Sequence, residues 1–353
     1  MSASATTSGL RSSVSLRSVF AAVLGLGLSA GCGAPQGDDA RGGAASQVGS
    51  PGELADGSAA KAGRAEESQE GFGVVKAQRG ASKFPVVLHH GFLGYDRIFT
   101  IDYFYGVRAR LEGEGFLVKA SVVSPANSVA YRAKQLARQV DELLAKTGAA
   151  KVNIVAHSMG GLDARYMIST LGYGDRVASL TMISTPNDGT SLADLALDLD
   201  DSQQEAAVEV WRSVVGTQDA RDSFHIPGVG AVDLWAAIRD LATGARAEQF
   251  NAANPDDARV YYQSFAGITS PTGLTTGDAV CPLLSVSYVL EKALEGDNDG
   301  VVSVRSARWG HYRGEVPADH MNEVGHPFGA TSWLYDHRDF YSALAHEFVA
   351  KGF

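Results

Sequence analysis

The sequence predicts an α/β fold, a mostly parallel, doubly wound sheet that carries a helical insertion. Three observations predict it. From about Phe84 onward, short β-rich runs alternate with helical stretches. One of these runs leads directly into a serine flanked by small residues. The alternation then breaks once, over residues 192–253. The β-rich runs are residues 85–89, 116–123, 151–156 and 178–183, with strand character returning at 259–265. Between them Leu136, Val140, Leu143 and Leu144 fall on one helical face. Strands separated by helices are joined by crossovers, which place neighbouring strands parallel. No internal repeat is present.

Within residues 192–253, Ala207, Val210, Trp211, Val214 and Val215 form one apolar stripe. Ala231, Leu234, Trp235, Ile238 and Leu241 form a second, with Glu205, Glu209, Arg239 and Asp240 between them. Taken singly, each stripe reads as a helix packed on the core. As a pair inserted after the serine-bearing strand, they also suit a movable cover over an apolar cleft.

The chain has 353 residues, 45% hydrophobic and 20% charged, which fits a globular protein with a sizeable core. A net charge of -10 argues against nucleic-acid binding as the main activity, because phosphate attracts basic surfaces. It places no limit on a neutral or apolar substrate. No stretch after residue 30 is long and apolar enough to cross a bilayer.

Residues 1–32 read as an export signal. Arg11 and Arg17 supply its positive start, and residues 19–28 supply an apolar run too short to span a membrane. Leu28-Ser29-Ala30-Gly31-Cys32 resembles a bacterial lipoprotein signal, in which the cysteine is lipidated and begins the mature chain. Ser29 stands where such signals place a large aliphatic residue. Residues 33–80 are rich in Gly, Ala, Ser, Gln and Glu, and read as a flexible, disordered tether. The expectation is an exported protein, either anchored through lipidated Cys32 on a periplasmic or outer surface, or secreted. The folded part, residues 81–353, contains only Cys281, so no disulfide is expected within it.

The chemistry centres on Ala156-His157-Ser158-Met159-Gly160-Gly161. A nucleophilic serine at the end of a strand needs a sharp turn into a helix. Small neighbours let the strand and helix backbones approach there. A β-rich run leads in, and Gly160-Gly161 opens a helix continuing through Ala164, Arg165 and Tyr166. Such a serine needs a base, and the base needs an orienting acid. The chain order for this architecture is serine, acid, histidine. Asp299, in Asp297-Asn298-Asp299-Gly300, and His320, in Ala318-Asp319-His320-Met321-Asn322, satisfy it. Spacing does not select them alone: His311, His326 and His337 compete for the base, and Asp297 and Glu295 for the acid. The oxyanion of an acyl transfer needs preorganised N–H donors. The Met159 N–H is one candidate, and the Phe92 N–H, in His90-Gly91-Phe92 after the first strand, is the other.

In order along the chain, several blocks resemble the bacterial true lipases of the Pseudomonas and Burkholderia type, triacylglycerol lipases of the α/β-hydrolase superfamily. They are His90-Gly91-Phe92-Leu93-Gly94, Tyr103-Phe104-Tyr105-Gly106, residues 152–165, and Ser184-Thr185-Pro186-Asn187-Asp188-Gly189-Thr190. Asn298-Asp299-Gly300-Val301-Val302 and the His320 segment complete the set. The resemblance implies Ser158, Asp299 and His320 as a triad, with Phe92 and Met159 as oxyanion donors. It further implies a lipid ester substrate met at a lipid–water interface, and a lid at about 192–253. A soluble short-chain carboxylesterase is the enzymatic rival, and a non-catalytic lipid-binding protein the rival from another class. No cofactor is required for this chemistry. The family's structural calcium would fall at Asp278, Asn322 and carbonyls near His326 and Ala330, with neutral Asn322 where the family has an aspartate. The family's disulfide would have no counterpart in the folded part. The need for a dedicated secretion chaperone is not readable from the chain.

Overall fold

The computed structural model describes residues 82–95, 97–98, 101–215, 231–329 and 332–353. The export segment, Cys32, the tether and Ala330 lie outside the described residues, as do the side chains of Val210, Trp211, Val214 and Val215. Among the described residues no helix is long and apolar enough to cross a membrane.

Six strands form one parallel sheet: β1 (Val86–His89), β2 (Val118–Ala120), β3 (Val152–His157), β4 (Val177–Ile183), β5 (Tyr261–Gly267) and β6 (His311–Val316). Their spatial order is β2-β1-β3-β4-β5-β6, and every neighbouring pair is parallel. Every residue of β3 and β4 is buried, as strands covered on both faces must be. Side chains alternate between two cores. Val86, Leu88 and Val155 face a cluster containing Val107 and Leu111 of α1 (Val107–Gly113) and Tyr341 and Phe348 of the C-terminal helix (His337–Ala350). Val87 and Ile154 face the opposite cluster. It contains Leu136 and Val140 of α2 (Val129–Thr147) and Ala164, Met167 and Ile168 of α3 (Met159–Ser169). The predicted doubly wound arrangement is therefore present. Ser128 caps α2 by accepting from the Tyr131 N–H, and Gly148, at φ 70°, ends it in the left-handed conformation.

The expected strands at 116–123 and 259–265 are shifted or shortened to Val118–Ala120 and Tyr261–Gly267. Strand β6 has no apolar run. As an edge strand, its His311-Tyr312-Arg313-Gly314-Glu315 stretch faces largely to water, so the pattern that reveals central strands is missing.

The insertion contains α4 (Ser191–Leu197), α5 (Asp201–Val215), α6 (Leu234–Asp240) and α7 (Ala245–Ala253). Leu234, Ala237, Ile238 and Leu241 bury with Ala193, Ala196, Met159 and Leu162 in a single cluster. The second predicted stripe is thus core, with exposed Ala231 outside it. The Asp233 N–H donates to the Ala126 carbonyl, and Asp240 accepts from the Val129 N–H. Both bonds fasten α6 to the start of α2. Cys281 is buried, and its N–H donates to Asp319 Oδ2 at 2.7 Å.

Candidate active site

The site lies at the C-terminal edge of the sheet, where crevices form in open parallel sheets. Strand β3 ends at His157, and Ser158 turns the chain into α3 with φ 56° and ψ -135°. Positive φ is a strained conformation for a serine. The small neighbours have a measurable reason. A Cβ added to Gly91 would lie 2.6 Å from the Ser158 Cβ, and one on Gly160 would lie 2.8 Å from the His90 carbonyl oxygen. The first strand's loop and the serine turn therefore touch through backbone. Met159 takes the first position of α3, so its N–H has no acceptor within the helix.

Ser158, His320 and Phe92 line one cavity of about 60 Å³, whose walls also include Leu241, Val302 and His326. The His320 Nδ1 lies 2.7 Å from Asp299 Oδ2. The other oxygen of Asp299 accepts from the Val301 and Val302 N–H groups at 2.8 and 2.7 Å. Burial works to raise the Asp299 pKa, but the His320 contact and these N–H donors outweigh it and hold the carboxyl below its usual range. The competing residues go elsewhere. Asp297 pairs with Lys292, and Glu295 with Arg305 and Ser191. His311 lies on edge strand β6, and His337 Nε2 meets the Tyr105 carbonyl. His326 lies 3.4 Å from the Tyr95 hydroxyl, and burial lowers its pKa to about 4.

A second histidine–carboxylate pair lies against the first. The His157 ring stacks on His320 with centroids 4.5 Å apart, and its Nε2 lies 2.9 Å from Glu323 Oε2. Its Nδ1 lies 2.7 Å from the Tyr103 hydroxyl, which also accepts from the Gly91 N–H at 3.4 Å. Ser184 donates to the other Glu323 oxygen. Burial, followed by the charge of Asp299, pushes the Glu323 pKa well above the ordinary value, so this carboxyl keeps its proton. Burial likewise keeps His157 neutral, its pKa well below the ordinary one.

Beneath the loop of Phe92, buried Arg132 donates to the carbonyls of His90 and Gly91 at 2.9 and 3.2 Å and to that of Ser124. Asp163 holds Arg132 at 2.8 Å and His89 at 3.0 Å. Sequence reasoning missed Arg132, Asp163 and Glu323. A signal for the first was available: Arg132 precedes Leu136 and Val140 at four-residue spacing, which puts a charge on the buried stripe of α2.

Of the expected calcium ligands, Asn322 donates its side-chain Nδ2 to Asp278 Oδ1 at 3.0 Å, and Asp278 Oδ2 is buried without a partner. An amide nitrogen turned to the carboxylate is a direct bond between the two side chains, not a pair of oxygens converging on a cation. As arranged, these residues do not form the expected cage, and Ala330 lies outside the described residues.

Comparison with known proteins agrees with this architecture. A family model described as the α/β hydrolase fold matches residues 85–208. A triacylglycerol lipase of Pseudomonas fragi is 28% identical over 262 residues, covering 69% of this chain and 89% of that protein. One from Vibrio cholerae is 29% identical over 71% of this chain and 82% of its own. Among solved structures, a metagenomic carboxyl esterase superposes with a TM-score of 0.59 at 18% identity, covering 76% of each chain. A Bacillus licheniformis lipase does so at 0.55 and 17% identity, over 78% of this chain and 95% of that one; both structures carry the fold alone. The chain has the α/β-hydrolase fold and is similar to bacterial triacylglycerol lipases.

Proposed function

We propose that the protein hydrolyses acyl esters of lipids through an acyl-enzyme on Ser158. The observation that carries this reading is Ser158 on its strained turn, sharing one cavity with a His320 whose Nδ1 is held by Asp299. The Ser158 Oγ attacks the ester carbonyl while His320 Nε2 takes its proton. The carbonyl oxygen becomes an oxyanion facing the N–H groups of Phe92 and Met159, and loss of one such donor costs about 3 kcal/mol of barrier stabilisation. His320 returns the proton to the departing alcohol oxygen as the C–O bond breaks. Water, deprotonated by His320, then attacks the acyl carbon and frees the acid, and Ser158 regains its proton. Asp299 holds the ring and stabilises the imidazolium throughout. These steps use only side chains, backbone N–H groups and water.

A cavity of about 60 Å³ is far smaller than the roughly 300–1,000 Å³ of ordinary ligand sites, so a long acyl chain requires an opening motion. Helices α4 and α6 share a core, and α5 packs against it through Val208, so opening of the proposed lid must break that contact. The test of the chemistry is a fluorophosphonate probe, expected to label the wild type and not Ser158→Ala; equal labelling refutes the nucleophile. Chain-length preference tests the substrate. A sharp optimum at acetate or butyrate, with no turnover of emulsified triglyceride, would sink the lipid reading in favour of a soluble carboxylesterase.

Export is the proposed localisation, supported by the charged and apolar order of residues 1–32. Membrane anchoring through an acylated Cys32 is its finer form. Acylation consumes that thiol, so an exported chain whose Cys32 is unmodified after reduction ends the anchored form and leaves secretion.

A further inference from the structure

Four of the most exposed large apolar side chains among the described residues belong to two loops: Leu274, 80% exposed, in the first, and Phe328, Trp333 and Leu334, at 57%, 68% and 75%, in the second. The first loop follows β5 and the second follows β6. In a parallel sheet both therefore leave the edge at which Ser158 follows β3. The loops are joined: the Trp333 N–H donates to the Gly277 carbonyl at 3.3 Å. Leu334 covers Gly277 so closely that an added Cβ there would lie 2.6 Å from its Cδ1. The second loop begins immediately after His326, a wall residue of the catalytic cavity.

Charge separates these loops from the remaining surface. Residues 260–277 and 327–335 contain no Asp, Glu, Lys or Arg, in a chain that is 20% charged. Patches of this kind mark interaction surfaces, and a tryptophan beside leucines suits the boundary between water and hydrocarbon. An overall charge of -10 opposes adsorption on an anionic bilayer, whereas an uncharged patch loses nothing by leaving water for an uncharged surface. We infer that Leu274, Phe328, Trp333 and Leu334 form a docking surface for the face of an aggregated, uncharged acyl ester, separate from the proposed lid. The inference rests on the lipid ester reading, since it makes the occupant the substrate's own surface and sets the cavity mouth beside it.

The test uses the full chain as Ser158→Ala, mixed with phosphatidylcholine vesicles carrying brominated acyl chains. Bromine quenches tryptophan that enters the lipid. Quenching is expected, and Trp333→Phe is expected to remove most of it although three other tryptophans remain. No quenching, or quenching unchanged by Trp333→Phe, overturns the inference. In the active chain, Leu274→Ser with Leu334→Ser should slow hydrolysis of emulsified tributyrin about tenfold at limiting surface, as two large apolar side chains cease to leave water. Hydrolysis of soluble nitrophenyl acetate should stay within about twofold, because the reacting groups are untouched. An equal fall in both rates overturns the inference, as does a dimer in sedimentation that the same double substitution dissolves. If soluble ester is cleaved and emulsion is not, the lipid reading fails, and the quenching measurement still decides the surface.

Discussion

Two histidine–carboxylate pairs lie side by side in this protein, built from nearly the same chemistry, with their carboxyl pKa values pushed in opposite directions. Asp299 holds His320, and Glu323, three residues beyond that histidine, meets His157. Both carboxyls are fully buried. Asp299 receives two backbone N–H groups as well as its histidine, and these keep it ionised. Glu323 receives a serine hydroxyl and sits in the field of Asp299, and it keeps its proton. In a low-dielectric site adjacent carboxyls raise one another's pKa, and the His320 contact, followed by the two backbone N–H groups, makes Asp299 the lowered one. The same charge acts on Glu291, whose pKa burial raises to about 9 with Glu295 and Asp299 contributing.

The contrast is broken or sharpened by four substitutions. The largest effect is expected from Asp299→Asn, which removes the charge and mis-sets the histidine tautomer; kcat should fall by about 10⁴ in ester hydrolysis. Glu323→Gln replaces a protonated acid by a neutral group of the same shape. Its kcat at neutral pH should stay within about threefold of wild type, since no charge is lost. A loss as large as that of Asp299→Asn would show that Glu323 is the ionised partner.

Glu291→Gln reads the third carboxyl through stability. The folded-state pKa is raised, so the folded protein binds the extra proton between pH 4.5 and about 9, and wild-type stability falls as pH rises through that window. The urea midpoint of Glu291→Gln should therefore gain on wild type as pH increases, with the difference constant below pH 4.5. A pH-independent difference would mean that Glu291 is already ionised. The smallest effect is expected from Asn322→Asp, which exchanges an amide bond to Asp278 for a second carboxylate. Without calcium its melting temperature should drop, by a few degrees for a loss of about 1 kcal/mol, and calcium should restore it. Wild type should respond less to the ion than this variant.

Much of the fold and part of the site were legible in the chain. Strands β1, β3 and β4 are buried on both faces, so their sequences are mostly apolar and β-branched runs that name themselves. Edge strand β6 answers mostly to water and left no such trace. Ser158 was readable because the turn demands Gly160, a local constraint written locally. Asp299 and His320 were readable as an ordered pair among competitors. Their selection needed the fold, which sends Asp297 to Lys292 and His337 to Tyr105. Glu323 and Arg132 were not found because their roles rest on partners 166 and 42 residues away in sequence, respectively His157 and the carbonyl of His90. Of the two amphipathic stripes of the insertion, the second gives Leu234, Ile238 and Leu241 to the core around Met159.

The contact between Gly91 and Ser158 has a consequence for how such a protein can diverge. With Cβ atoms excluded at Gly91 and Gly160, the floor of the site is backbone and cannot be retuned by substitution. Variation in what the enzyme accepts must enter through the walls, at Leu241, Val301, Val302 and Phe92, which line the cavity without holding the serine turn together. A library restricted to those positions should yield changed selectivity at intact turnover, while one aimed at the glycines should return mostly chains that do not fold.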